Sequence, residues 1–280
     1  MILQYYLVNI QTVLSDGNVL AFQWRNNIST FLMITLPFTF YKSYKNRHIY
    51  LYLSVLIFGC LLLTGSRSAM IFGTLEYIVC VVFIVIYDQS HRTRNIIIFA
   101  VLTAVVCFSM QEIFNFFKDT VSRFSLESSD MNIRLDLYKR AVQDFLSNPV
   151  FGRGIGYMGN RDIHHSAKFA LCWYHSLPFQ IIGSFGIVGI IAYGYQYYLR
   201  FKVLFSNLKS RFNMTIILSF FGLEMISLVN PGEFSPIPYL LILTIELIMV
   251  ERCNTIRKEH KVKLKGGKAF IADNNDQTSK

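Results

Sequence analysis

Long apolar runs separated by short polar connections make up most of the chain. A helix of about 20 residues crosses a bilayer core, where helices and closed barrels alone satisfy their own backbone polar groups. The pattern therefore predicts an all-α polytopic membrane protein with about seven to eight transmembrane helices, one of them a partial helix in Met1–Leu14. The other runs are Ile28–Tyr41, Ile49–Leu63, Ala69–Tyr87, Ile96–Phe117, Ser176–Phe201, Met214–Val229 and Ile237–Val250.

The stretch Asn132–Leu146 has a different pattern, because its polar and apolar residues fall on opposite sides of a predicted helix. Arg134 falls near the centre of the apolar side, beside Tyr138. A guanidinium on a face that should be buried needs an anion or a group of carbonyl oxygens as its partner. Arg134 is therefore the first candidate ligand-binding residue. The apolar side comprises Met131, Leu135, Leu137, Tyr138, Ala141, Val142, Phe145 and Leu146.

Basic residues concentrate in alternate connections and in the C-terminal tail. The positive-inside rule assigns these segments to the cytoplasm, and the intervening connections then fall outside without conflict. The longest outside connection is the external loop 118–174. We expect one transmembrane domain over residues 1–250 and a basic, disordered cytoplasmic tail over residues 251–280. The basic connections contain Lys42, Lys45 and Arg47, then His91, Arg92 and Arg94, and then Arg200, Lys202, Lys209 and Arg211.

Composition agrees with a lipid setting, since 53% of residues are hydrophobic, 16% are charged and the mean hydropathy is +0.39. A net charge of +10 would suggest nucleic-acid binding in a soluble protein, but here it follows membrane topology, and we expect no nucleic-acid partner. The five cysteines show no CxxC spacing, and no Walker-type loop is present. His164 and His165 are adjacent and lack accompanying carboxylates, so we predict no metal site.

Two further arginines are predicted to lie at the same side of the membrane as Arg134. Arg67 lies among the small residues of Thr64–Ser68, at the end of a predicted helix where positive charge is disfavoured. It is either a ligand-binding residue or an anchor that extends toward lipid headgroups. Arg25 lies just before the predicted helix Ile28–Tyr41, and it has the same two interpretations.

A glycine-rich segment follows the amphipathic helix. In it, Gly152 and Gly154 flank Arg153, so exposed backbone N–H groups can cradle an anion next to a guanidinium. No strand precedes the segment, which excludes a dinucleotide-binding fingerprint. The alternative interpretation is a tight turn that returns the chain to the membrane.

Three titratable side chains occupy unusual positions. His175 begins a predicted helix, where the imidazole tends to be neutral and can accept a proton; the alternative is an interfacial histidine packed against Trp173 and Tyr174. Glu76 and Glu224 lie within predicted spans, where a carboxylate is costly unless it is paired or protonated. Each is either a proton-relay residue of a transporter or the partner of a nearby arginine.

Four sequence segments, taken in chain order, resemble motifs of the O-antigen ligases and O-antigen polymerases of bacterial surface polysaccharide assembly. The resemblance extends from about Asn26 to Val250, and the order of the motifs is more specific than any one of them. Ser176 and Ser184 depart from the family pattern, which usually has Asn and often Glu there. The segments are Asn26-Asn27-Ile28 with Leu36-Pro37, Thr64-Gly65-Ser66-Arg67-Ser68, Arg134-x-x-Leu137 to Asn148-Pro149-x-Phe151-Gly152-x-Gly154-x-Gly156, and His175-Ser176-Leu177-Pro178-Phe179-Gln180 with Gly186-Ile187-Val188-Gly189.

The resemblance implies a glycosyltransferase of the plasma membrane that uses a glycan on undecaprenyl diphosphate, at the outer face, without cofactor or metal. It also implies a glycan or lipid acceptor, and other membrane proteins of polysaccharide assembly are candidate partners. Family members usually carry more N-terminal helices, so we expect a short or truncated member whose activity needs a test. Arg67 and Arg134 would stabilise the diphosphate, Arg153, Gly152 and Gly154 would assist, His175 would deprotonate the acceptor, and Arg25, Tyr138, Glu76 and Glu224 would be accessory.

Three functions remain open at this point. A polymerase would add repeat units to a growing chain on the carrier, and this is the interpretation we favour. A ligase would move a finished chain to a lipid or protein anchor. A transporter of lipid-linked oligosaccharide would bind diphosphate through the arginines and relay protons through Glu76 or Glu224, but it predicts repeated hydrophobic segments that this sequence lacks.

Overall fold

The computed structural model describes residues 1–16, 25–44, 49–122, 129–156, 173–230, 232–234 and 239–277. These residues form helices joined by turns, and no strand occurs among them, which confirms the all-α fold class. The predicted partial helix at the N-terminus is a pair of short helices. In chain order the α-helices within these ranges are α1 (Ile2–Val8), α2 (Ile10–Asp16), α3 (Arg25–Ser43), α4 (Ile49–Leu63), α5 (Thr74–Tyr87), α6 (Arg92–Phe108), α7 (Met110–Phe116), α8 (Lys118–Ser122), α9 (Ser129–Ser147), α10 (Leu177–Leu204), α11 (Arg211–Ser227) and α12 (Tyr239–Gln277).

Helix α3 is central to the packing, because its apolar residues contribute to three clusters of buried side chains. Ile34 packs with α11 and α12, Leu36 and Phe40 pack with α4, α5 and α6, and Met33 packs beside the start of the π-helical turn Ala69–Gly73. Its buried hydroxyl groups donate hydrogen bonds to carbonyl oxygens of the same helix, which satisfies them without water. The close packing of α3 against α4 and α11 fixes the helix ends that form the candidate site.

Two helical segments are long and apolar enough to cross a bilayer. They are Ala69–Tyr87 and Leu177–Asn207, with mean hydropathy of 2.5 and 1.6, while Ile49–Leu63 is apolar but shorter. Within the described ranges these findings support a helical membrane protein, but they do not confirm the predicted count of about seven to eight spans.

Three predicted boundaries differ from the structure. The run Ile96–Phe117 is divided, because α6 ends at Phe108 and α7 begins at Met110. Arg200, predicted in a cytoplasmic connection, is buried within α10, which continues to Leu204. The tail predicted to be disordered continues α12 as far as Gln277, consistent with its many Lys, Arg and Glu residues, which favour helix.

Candidate functional site

The three predicted arginines meet at one cavity, which we call the arginine cavity. It has a volume of about 220 Å³ and lies between the start of α3, the turn before α5, and α9. Arg25, Arg67 and Arg134 line it together, although 109 positions of sequence separate the first from the last. Three guanidinium groups around one small space favour an anionic ligand. The remaining lining residues are Asn26, Ser68, Ile71, Phe72, Met131, Tyr138 and Val229.

A chain of polar side chains connects the backbone segments that carry the first two arginines. Asn26, next to Arg25, accepts a hydrogen bond from the Ser66 hydroxyl at 2.7 Å through its side-chain oxygen. Its side-chain nitrogen donates to the Asn230 side-chain oxygen at 3.1 Å. Ser66 immediately precedes Arg67 and shares a 3.0 Å hydrogen bond with Ser68. Asn26 thus links both arginines to the segment after α11.

Helix α9 supplies the third arginine and confirms the predicted helix, but not its full apolar side, because Leu135, Val142 and Leu146 are exposed and Asp144 is buried. Leu137 and Ala141 are fully buried on its apolar side, which packs against α10. Arg134 lies on that side and donates a hydrogen bond to the carbonyl oxygen of Val229 through Nη1. One part of the guanidinium is therefore satisfied by the backbone, and the side chain still lines the cavity.

His175 is linked to the cavity through Tyr138 rather than lining it. The Tyr138 hydroxyl donates to the His175 carbonyl oxygen at 3.5 Å, and its ring stacks on Phe179 with centroids 4.4 Å apart. His175 has φ +53°, and it is the one non-glycine among the described residues with positive φ. Such a conformation persists when surrounding contacts hold it, and it is often found at functional sites.

Those contacts come from a buried network around Tyr174. Its hydroxyl donates to Asp144 of α9 at 2.7 Å, and its backbone N–H donates to the side chain of Gln180 at 3.0 Å. Gln180 in turn donates to the Ser184 hydroxyl at 2.7 Å. The network joins α9 to the first turns of α10 and fixes the backbone at His175.

The glycine-rich segment has a different role from the predicted anion cradle, since its N–H groups already have partners. The N–H groups of Arg153 and Gly154 donate to the carbonyl oxygens of Gly183 and Ser184, each at 2.9 Å. In an unbroken helix these two carbonyls would accept from residues 187 and 188. Instead, the N–H groups of Ile187 and Val188 donate to the Pro149 and Val150 carbonyl oxygens.

This exchange of four hydrogen bonds, which we call the loop–helix junction, explains the glycines on both sides. Gly186 interrupts α10 with φ +60°, and a Cβ there would lie 2.4 Å from the Pro149 carbonyl oxygen. A Cβ on Gly152 would lie 2.4 Å from the Ser184 backbone carbon. The segment therefore replaces the hydrogen bonds that the break in α10 removes, as a broken helix in lipid requires.

Arg153 belongs to this junction as well. Its Nε atom lies 3.5 Å from Asp144. With the Asn148 amide oxygen turned toward the guanidinium, Asn148 accepts from Nε at 2.8 Å and from Nη1 at 3.2 Å. Arg153 does not line the arginine cavity. We therefore leave Arg153, Gly152 and Gly154 out of the proposed diphosphate site.

The two predicted accessory carboxylates also lie away from the cavity lining. Glu76 is 2% exposed and lies against Gly222 of α11. A Cβ added to Gly222 would lie 2.4 Å from the Oε1 atom of Glu76. Glu224 accepts a hydrogen bond from the Tyr197 hydroxyl at 2.7 Å and lies 3.8 Å from Nη1 of Arg200. The arginine partner that the sequence analysis offered for such a carboxylate thus exists for Glu224.

Sequence reasoning missed several residues that build the site. Asn26 was noted only as part of a motif. Val229 was not predicted because it contributes a backbone carbonyl, which any residue can supply. Asp144 was not predicted because a carboxylate on the polar face of a helix usually contacts solvent. Gly186 was visible as a motif glycine, but the break in α10 was not predicted. His164, His165, Tyr157 and Cys172 lie outside the described residues.

The helical fold and the cluster of cationic side chains are typical of a membrane protein that binds an anionic substrate. A family model described as O-antigen ligase matches residues 52–194, just over half of the chain. The chain therefore belongs to the O-antigen ligase family, which functions in membrane polysaccharide biosynthesis. The match includes Arg67, Arg134 and His175, but not Arg25 or the segment after α11. No curated protein is significantly similar to the chain.

Proposed function

We propose that this protein is a membrane glycosyltransferase that takes a glycan from an undecaprenyl-diphosphate donor and transfers it to a sugar hydroxyl. The observation that carries the proposal is the convergence of Arg25, Arg67 and Arg134 on one cavity. A diphosphate presents several oxygens in a small volume, and guanidinium groups bind such oxygens with paired hydrogen bonds. Family membership is the evidence for glycan transfer, and the three arginines are the evidence for a negatively charged leaving group.

The cavity is suited to the transition state more than to the intact donor. As the glycosidic bond breaks, negative charge grows on the diphosphate oxygen that leaves the sugar. The Arg134 guanidinium is held in advance by the Val229 carbonyl oxygen, and the Asn26–Ser66 hydrogen bond joins the segments that carry Arg25 and Arg67, so these groups would meet that charge with little reorganisation. The apolar residues Ile71, Phe72 and Met131 in the lining reduce the local dielectric constant and so strengthen the interaction.

His175 would act on the acceptor. The acceptor hydroxyl oxygen attacks the anomeric carbon, the carbon–oxygen bond to the diphosphate breaks, and undecaprenyl diphosphate leaves with the bonding electrons. The hydroxyl proton passes to the His175 imidazole, or His175 orients the hydroxyl while water takes the proton. Direct displacement of this kind inverts the configuration at the sugar.

The location follows from the same proposal. We place the arginine cavity at the outer face of a bacterial plasma membrane, with about seven to eight spans and a cytoplasmic C-terminus, as the distribution of basic residues predicts. The donor and the acceptor would then both be glycans that have already been translocated.

Polymerisation of repeat units is the reaction we favour, and ligation to a lipid or protein anchor is the second candidate. Both reactions use the same diphosphate donor and differ only in the acceptor. The transporter interpretation has less support, because Glu76 and Glu224 do not line the arginine cavity. Glu224 is also engaged by Arg200 and Tyr197, contacts typical of a structural role.

The test is a reaction in membranes that contain this chain, supplied with repeat units linked to undecaprenyl diphosphate. We expect a ladder of lipid-linked products from the wild type and none from Arg134→Ala. A single transferred chain on an offered anchor, in place of a ladder, would establish the ligase. If the wild type transfers no glycan to any offered acceptor, the glycosyltransferase proposal is wrong.

A further inference from the structure

We propose that Glu233 is a positioning residue whose buried ion pair with Arg200 fixes the turn Gly232–Phe234, and through it both the neighbouring Val229, which accepts a hydrogen bond from Arg134, and the segment around His175. The inference rests on the proposed function, since it assigns those two residues a shared task. Neither Glu233 nor Arg200 lines the arginine cavity, and both lie outside the part of the chain that the family model matches. Their effect on the site must therefore act through intervening contacts.

The ion pair is deeply buried. The side chains of Arg200 and Glu233 are 4% and 5% exposed, and Nη1 of Arg200 contacts Oε1 of Glu233 directly. The ring of Tyr197 lies 5.2 Å from the guanidinium carbon, which adds a cation–π contact. A buried charge that loses its partner is strongly destabilising, so each of these two side chains constrains the position of the other.

Glu233 belongs to the short turn Gly232–Phe234, and that turn contacts the residues on both sides of His175. The Phe234 ring lies 6.4 Å from Trp173, two positions before the histidine. Leu177 lies two positions after the histidine, and a Cβ on Gly232 would lie 3.4 Å from the Leu177 Cβ. The turn thus limits movement of the backbone that carries His175.

The same segment carries the acceptor for Arg134. The Val229 carbonyl oxygen receives the Arg134 hydrogen bond, and Asn230 receives the one from Asn26 beside Arg25. These two residues lie between the end of α11 and the turn with Glu233. A displacement of the turn by about 1 Å would therefore move the arginines relative to the histidine, and misplacement on that scale can reduce turnover about 100-fold.

Glu224 provides a matched control, because it lies near the same arginine and interacts with Glu233 only through charge repulsion, while its described hydrogen bond and ion pair are with Tyr197 and Arg200. It is 3.8 Å from Arg200 and hydrogen-bonded to Tyr197, whereas Glu233 contacts Arg200 directly. Removal of the Glu224 charge changes the electrostatics at Arg200 and leaves the turn anchored. Removal of the Glu233 charge weakens the anchor itself.

The experiment compares the wild type, Glu233→Gln and Glu224→Gln in detergent by hydrogen–deuterium exchange of backbone amides. For Glu233→Gln we expect exchange at residues 173–177 and 229–234 to rise by about tenfold while the helix interiors stay protected, and for Glu224→Gln no change there. Unchanged exchange at these segments in Glu233→Gln would overturn the proposal. Gly232→Ala displaces the same turn without altering a charge and should reproduce the result, which keeps the test valid if Glu233→Gln folds poorly.

Turnover completes the test. With an undecaprenyl-diphosphate donor, kcat of Glu233→Gln should fall about 10- to 100-fold, since the catalytic groups remain but are misaligned. Faster exchange at residues 173–177 and 229–234 of Glu233→Gln, together with a wild-type kcat, would also overturn the positioning role. If the wild type itself has no turnover, the proposed function fails, and the exchange comparison still determines whether Glu233 anchors the turn.

Discussion

The arginine cavity and the loop–helix junction contain similar residues but differ in what surrounds them. Both contain arginine and include residues of α9 or the segment that follows it, and the sequence predicted anion binding at both. At the cavity, Arg25, Arg67 and Arg134 surround open space. At the junction, Arg153 pairs with Asp144, and the adjacent N–H groups donate to carbonyls of α10. Empty volume, not residue type, distinguishes a ligand site from a structural contact.

The difference has a physical origin in the break of α10. A helix interrupted at Gly186 leaves two carbonyls and two N–H groups without their usual partners, and in lipid no water replaces them. The glycine-rich segment supplies all four partners, so the N–H groups of Arg153 and Gly154 are already engaged by α10. At the cavity, Arg134 donates one hydrogen bond to the Val229 carbonyl oxygen and still lines the open space together with Arg25 and Arg67.

The largest expected effect is the loss of transfer in Arg134→Lys. Lysine keeps the charge but lacks the rigid planar fork, so its single ammonium nitrogen cannot place donors at the Val229 carbonyl and at a diphosphate oxygen in the geometry that the guanidinium provides. We expect activity to fall about 100- to 1,000-fold, the usual range for removal of one preorganised donor. Arg140→Lys, on the same helix but outside the cavity lining, is the matched control and should stay within about twofold. Equal losses in both variants would remove the distinction between the cavity and the rest of α9.

The next effect concerns stability at the junction. In Gly152→Ala the new Cβ would lie 2.4 Å from the Ser184 backbone, and the residue would also keep its φ of +65°. Gly154 has φ +88° but no atom within 4 Å of a new Cβ. We expect Gly152→Ala to destabilise the fold by about 3 kcal/mol and Gly154→Ala by about 1 kcal/mol, because only the first adds a clash to the strain. Apparent melting temperatures in detergent measure both, and equal shifts would contradict the close approach.

A smaller effect separates Arg153 from Arg134. Arg153→Ala leaves Asp144 with the Tyr174 hydroxyl as its remaining partner among the described contacts, so we expect a loss of about 1 kcal/mol of stability. Transfer per folded molecule should remain within a few-fold of the wild type. Arg134→Ala also removes one hydrogen bond, to Val229, so we expect a stability loss of similar size but, in contrast, loss of transfer. An activity loss in Arg153→Ala as large as that of Arg134→Ala would return Arg153 to the diphosphate site.

The smallest effect is expected for Tyr138→Phe. The lost hydrogen bond to the His175 carbonyl is long, at 3.5 Å, and the ring can still stack on Phe179. We expect kcat to fall about two- to fivefold, since a bond of this length contributes weakly. Tyr138→Ala removes the stacking as well and should have the greater effect. If Tyr138→Phe abolished transfer, the hydroxyl would have a direct role in the cavity.

The fold class and the three cavity arginines could be predicted from the sequence, but the residues that contact these arginines could not. Helical periodicity predicted α9 within three residues at its start and placed Arg134 on its buried side. The loop–helix junction was beyond such reasoning, because backbone hydrogen bonds between segments 30 residues apart leave no side-chain pattern. The burial of Arg200 was not predicted, because its partner Glu233 is remote in sequence and a lone arginine near a helix end resembles an exposed charge.

The central claim is that the arginine cavity binds a diphosphate, and the most direct measurement is binding of undecaprenyl diphosphate to the purified protein. Native mass spectrometry or a fluorescence-based titration in detergent would compare the wild type, Arg67→Ala, Arg134→Ala and Arg153→Ala. The account predicts that the first two variants weaken binding by at least about tenfold, and that Arg153→Ala binds like the wild type. Wild-type affinity in Arg67→Ala and Arg134→Ala, or loss of binding confined to Arg153→Ala, would contradict it.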